Sequence, residues 1–224
     1  MPAPTTYYHR IAGQSLERLS ALSDGVFAVA VTLLVLDLHV PLSETPHGQQ
    51  PLWSQGAIQS EQALWVALLR IAPHLLPYFM SFLTLGMFWV GQQTQLNHLE
   101  RSDRNLAWIH VAFLSAVALM PFSTGLLAEF ITYRLALVVY WLNLLLLGIV
   151  LMASLRYAWR AGLVKADATV AVRRAIERRI VVIQALYAFG LLLCVFNTYV
   201  SIAFIVLLQL ISAIGPRIWP LDRF

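Results

Sequence analysis

The chain has 224 residues, of which 59% are hydrophobic and only 12% charged, with a mean hydropathy of +0.72. That is too little charge to cover the surface of a soluble domain, so the composition excludes a soluble globular protein and points to a polytopic membrane protein. The net charge of +4 would suggest nucleic acid in a soluble protein, but here the basic residues are confined to a few turns and flanks, which argues against that partner.

In chain order, the first ten residues, MPAPTTYYHR, lack the charged-then-apolar order of a signal peptide, so the first helix is expected to insert and stay. That helix, 19–39, carries Arg18, Ser23, Asp24 and Gly25 at its entrance and is apolar from there to Leu36 except for Thr32. Ionisable groups held against a span are costly and mark a functional site by default. A linker rich in Pro, Ser, Gly and Gln follows, then an amphipathic stretch, Glu61–Arg70, placed at the interface or as an extension of helix two. Helix two is expected over 71–97, with Pro73 and Pro77 limiting its regularity at the start.

Helix three, 105–127, follows a short charged turn and should be broken late at Pro121, where Ser123 and Thr124 can satisfy freed carbonyls. Helix four is expected over 134–156. The basic segment Arg156–Arg179 reads as a cytoplasmic helical extension with Glu177 solvated. The uncharged run Ile180–Pro216 is too long for one helix and divides near Asn197 into 180–197 and 198–216. The result is one all-α domain of six transmembrane helices. Placing the N-terminus inside puts 13 of the 15 basic residues on the inner side, leaving only Arg70 and Arg134 outside, so both termini are expected to be cytoplasmic.

Three sets of residues could carry function. Arg18 and Asp24 are six apart on one helix, so they point to different faces and cannot pair directly. They read either as topogenic and capping charges or as members of a functional site. Val29, Leu33 and Leu36 recur at i, i+4, i+7 with Thr32 beside them, a stripe that packs against another helix or, if copies met on an axis, stacks into apolar rings that gate by dewetting. Polar groups within the other spans (among them His74, Gln92, Gln93, His110, Asn143, Gln184 and Gln209) suit interhelical hydrogen bonds.

No metal site is expected, because His98 and His110 lack carboxylate or thiolate partners at ligand spacing other than Glu100 and Asp103. Cys194, the only cysteine, reads as packing, and most of the seven tryptophans read as interface anchors. Hydrolase, zincin, P-loop and dinucleotide motifs are absent, as is a TVGYG-type filter. An enzyme is therefore not expected.

The run Arg18-x-x-x-Leu22-Ser23-Asp24-Gly25 resembles the R-x-x-x-F-S-D-G signature of the transmembrane protein 175 potassium channel family, in its six-helix prokaryotic branch. Phe88-Trp89 and Pro121-Phe122-Ser123-Thr124 resemble that family's F-W and P-F-P-T patterns. The resemblance covers helices one to three by motif and the remainder by hydropathy only. Leu22 replaces the family's Phe; Gln92 and Gln93 stand where it has a His pair, and His110 where it often has Asn.

The resemblance implies a homotetramer in a bacterial inner membrane, with helix one of each subunit lining a pore for K+ and other monovalent cations, and no cofactor. Val29 would form the narrowest ring, with Thr32, Leu33 and Leu36 outward of it. Arg18, Ser23, Asp24, Gly25, Gln92, Gln93 and His110 would form the network that steadies helix one. A proton-coupled or other ion carrier cycling Asp24 or Asp37, and a non-conducting scaffold whose basic segment holds a partner or anionic lipid, are the rival classes.

Overall fold

The computed structural model describes residues 15–38, Trp53 and 57–214. Residues 39–52 and 54–56, Trp219 and the basic residues Arg10, Arg217 and Arg223 lie outside these, as do the side chains of Asp37 and Glu61.

Helix α1 (Leu16–Leu34) begins at Ser15, whose side chain accepts from the Arg18 amide at 3.2 Å, and ends in a 3₁₀ turn, Val35–Asp37. Helix α2 (Ala57–Asn97) runs for 41 residues. It starts well before the expected residue 71, because the chain stays helical through Pro73 and Pro77. Each proline forfeits only one backbone bond, and a membrane helix tolerates that where surrounding groups re-satisfy the carbonyl. At ~1.5 Å per residue α2 is about 60 Å long, about twice a bilayer's hydrocarbon thickness.

The third span is a pair of helices: α3 (Arg104–Ala118), capped by the Asp103 carboxylate on the Leu106 amide at 2.8 Å, and α4 (Met120–Glu129). The break at Pro121 is where the sequence places it. There the Ser123 and Thr124 hydroxyls donate to the Met120 carbonyl at 3.0 and 2.7 Å.

Helix α5 (Arg134–Arg160) stops at Gly162, whose φ of +65° only glycine adopts without strain. The Leu163 amide returns to the Ala158 carbonyl at 3.0 Å, closing the helix end. Helix α6 (Val170–Leu192), a 3₁₀ turn (Leu193–Val195) and α7 (Thr198–Ile214) complete the chain. The basic segment is therefore not one helical extension but two helix ends and a turn between them. Glu177 is not solvated alone either: it faces Arg173 at 3.1 Å and Arg156 at 3.6 Å.

Among the described residues four helical stretches are long and apolar enough to cross a membrane: Gln62–Asn97, Arg104–Glu129, Arg134–Arg160 and Val170–Val195. Helix α1 differs in holding Glu17, Arg18 and Asp24, and α7 is shorter, at 17 residues. Helix α5 is central, with Leu137, Tyr140, Leu144 and Leu147 fully enclosed and α3, α4 and α6 against it. Helix α1 lies on α2, α3 and α4.

Two sets of turns mark the ends of the bundle. At one end the α2–α3 turn meets the α5–α6 turn through the Leu99–Val164 bridge and the bond from the Lys165 amide to the His98 carbonyl, 3.0 Å. At the other, Arg134 donates to the Val195 carbonyl at 3.1 Å. Arg101, Arg104, Arg156, Arg160 and Lys165 thus gather at one end, and Arg134 sits at the opposite one.

Candidate functional site

Helix α1 divides into two faces. Leu19, Ser23, Phe27, Ala30 and Leu34, spaced four, four, three and four apart, are buried against the bundle. On the other side Arg18, Leu22, Gly25, Val29, Leu33 and Leu36 form one exposed line, with Thr32 beside it. The exposure is large for apolar groups: 50% at Leu22, 57% at Val29, 41% at Leu33 and 66% at Leu36. The Thr32 hydroxyl donates to its own helix, to the Val29 carbonyl at 2.8 Å, which leaves only acceptor capacity facing outward.

The basis of the first face is packing. Phe27 meets Phe113 of α3 at a ring distance of 6.0 Å, and Phe88 of α2 closes on the same ring at 6.4 Å. Nearer the entrance of α1 the contact becomes polar. Asp24 Oδ1 accepts two hydrogen bonds from α2, from Trp89 Nε1 and from Gln93 Nε2, both 2.8 Å. Trp89 and Gln93 are i, i+4, so α2 presents both donors on one face. One position along α1, the enclosed Ser23 hydroxyl donates to the Leu19 carbonyl and accepts from Gln92 Nε2, both at 2.9 Å. Ser20 and Gln93 meet at 3.4 Å. These contacts fix the rotation of α1, and so fix which line of side chains faces away.

Of the residues expected to steady α1, the structure brings Ser23, Asp24, Gln92 and Gln93 together. It does not bring in His110. That imidazole is buried, but its Nδ1 bonds the Leu106 carbonyl of its own helix at 2.9 Å. Among the described residues no hydrogen bond joins it to α1 or α2. The Gln92 Oε1 atom is enclosed and has no partner in its place. Arg18 is exposed and makes no ion pair among the described residues. Gly25 is exposed too, and a Cβ built there meets nothing within 4 Å of its own subunit.

Trp89 is the member sequence reasoning missed, since a tryptophan near a span end reads as an interface anchor. Its i, i+4 relation to Gln93 was the available signal. A second polar set lies deeper, where Ser81 meets Thr124 at 2.6 Å and Gln209 Nε2 donates to Thr84 at 2.7 Å, joining α2 to α4 and α7. Among the described residues no three His, Cys, Asp or Glu side chains group as a metal site.

Comparison with known proteins agrees with this architecture. The family profile described as the endosomal/lysosomal potassium channel TMEM175 matches residues 18–121, from the Arg18 motif to Pro121. A potassium channel of Streptomyces collinus is 37% identical over 114 residues, covering 51% of this chain and 48% of that protein. A potassium channel of Chamaesiphon minutus is 32% identical over 126 residues, covering 55% of this chain and 56% of that one. In these matches the chain spans about half the length of its curated relatives.

The fold extends the likeness to nearly the full chain. The crystal structure of a lysosomal potassium-selective channel TMEM175 homolog from Chamaesiphon minutus superposes with a TM-score of 0.70 and 26% identity, over 91% of this chain and 98% of that one. The α1 motif, the profile match across α1–α3 and the shared architecture together support a likeness to the TMEM175-like family, a family of ion channels and not of enzymes.

Proposed function

We propose that this protein is a potassium-permeable cation channel, assembled as a homotetramer in a bacterial inner membrane with both termini in the cytoplasm. The observation that carries the proposal is the exposed apolar line on α1, held outward by the Ser23–Gln92 and Asp24–Trp89–Gln93 contacts. Four such lines meeting on an axis enclose a narrow pathway whose walls are side chains. Val29 forms its tightest ring, and Thr32, Leu33 and Leu36 line it outward. A constriction of this kind gates by dewetting and supplies no carbonyl cage, so selectivity is modest. Arg18, Ser23, Asp24, Gly25, Gln92 and Gln93 act on α1 and do not bind the ion.

The names of the relatives support K+ as the permeant ion. The gathering of basic residues at one end of the bundle supports the orientation, since positively charged turns stay on the cytoplasmic side. Potassium flux through purified protein in liposomes tests the proposal. Val29→Asn is expected to alter the rate or the preference for potassium over sodium. Unchanged flux in that variant contradicts a constriction at Val29.

A further inference from the structure

Helix α6 is loosely seated: of its residues only Tyr187 and Gly190 are buried. Along its flank an open groove of about 850 Å³ runs between α3, α5 and α6, walled by Ile109, Ile149, Met152 and Val181. At one end the wall changes to Arg156 and Arg160, four apart on one face of α5 and both exposed. From Leu145 at the far end to Arg156 is eleven residues, about 16 Å at ~1.5 Å per residue, which is about one leaflet of hydrocarbon.

We infer that this groove holds an anionic phospholipid of the surrounding bilayer, its phosphate on Arg156 and Arg160 and one acyl chain between α5 and α6. Three observations choose that occupant. The groove opens on the apolar flank of a membrane helix, beside the exposed Val181, where acyl chains are the available partners. Its depth matches a chain whose headgroup lies at the basic end. The charge is complementary as well. Arg160 makes no ion pair among the described residues, and Arg156 reaches Glu177 only through Nε at 3.6 Å from a half-exposed side chain. Glu177 is already held more closely by Arg173, at 3.1 Å. Topology alone requires basic residues somewhere on the inner turns; it does not require two guanidinium groups in register at the mouth of a leaflet-deep apolar groove.

Native mass spectrometry of the delipidated full-length protein tests this, with phosphatidylglycerol and phosphatidylcholine of identical acyl chains supplied in turn. The wild type is expected to retain phosphatidylglycerol more tightly. Each guanidinium near the surface is worth roughly fivefold in affinity, so Arg156→Gln with Arg160→Gln should weaken phosphatidylglycerol roughly 25-fold and leave phosphatidylcholine unchanged. Ile149→Trp, which fills the groove while keeping both arginines, should also release it; if the double variant does not fold, this variant decides. Arg174→Gln, exposed and outside the groove, should have a small effect. Equal retention of the two lipids by the wild type, full retention by the double variant or by Ile149→Trp, or an equal loss with Arg174→Gln overturns the inference.

Discussion

Asp24 is exposed and yet receives two donors at 2.8 Å, the indole of Trp89 and the amide of Gln93. Asp24→Ala leaves both without an acceptor and should lower stability by about 1–3 kcal/mol, read as a reduced melting temperature in detergent. Asp24→Asn keeps a carbonyl oxygen in the same place and should avoid most of that loss; equal effects of the two substitutions would contradict the assignment. Gln92 behaves differently. Its amide nitrogen serves Ser23, but its oxygen is enclosed without a partner. Gln92→Leu removes a bond and an unsatisfied acceptor together, so its cost should stay under about 1 kcal/mol. A loss much larger than that would show that Gln92 Oε1 has a partner in the working protein.

The helices show what a single sequence can and cannot disclose. The polar entrance of α1 and its apolar stripe were legible, because both follow from spacing along one helix. The break at Pro121 was legible because proline lacks the donor that continuity needs. The beginning of α2 was only partly legible: the sequence left Glu61–Arg70 open between an interfacial stretch and an extension of helix two, and the chain takes the extension, carrying the helix through Pro73 and Pro77. The place of His110 could not be read either. Whether an imidazole turns toward a neighbouring helix or back to its own carbonyl depends on interhelical register, which one sequence does not encode.

Two glycines make the packing testable at this scale. At Gly190 an added Cβ would lie 2.9 Å from Ile205 Cγ1 and 3.0 Å from Phe204, so Gly190→Val should push α6 from α7 and cost about 1–3 kcal/mol. At Gly25 an added methyl meets no atom of its own subunit. Gly25→Ala should therefore leave subunit folding intact and change assembly or flux only if a second copy of α1 approaches there. Normal assembly and flux in that variant would place the neighbouring copy elsewhere.

Across the whole molecule, the turns sort by charge. The 100–104 and 160–165 turns are joined at one end by the Leu99–Val164 bridge, and Arg134 with the Val195 carbonyl marks the other. Cys194 is the only cysteine and is buried, so Cys194→Ser gives a background for labelling single introduced cysteines. A cysteine at Lys165 should react only from the cytoplasmic side and one at Thr132 only from outside; the reverse pattern would invert the topology.

The central claim is that the exposed face of α1 lines a cation pathway, and potassium flux in proteoliposomes beside the Val29→Asn variant tests it most directly. Flux well above carrier turnover is expected in the wild type, with a changed rate or potassium-over-sodium preference in the variant. Absent flux from well-folded protein, or slow, saturating, pH-driven flux indifferent to Val29→Asn, would contradict it.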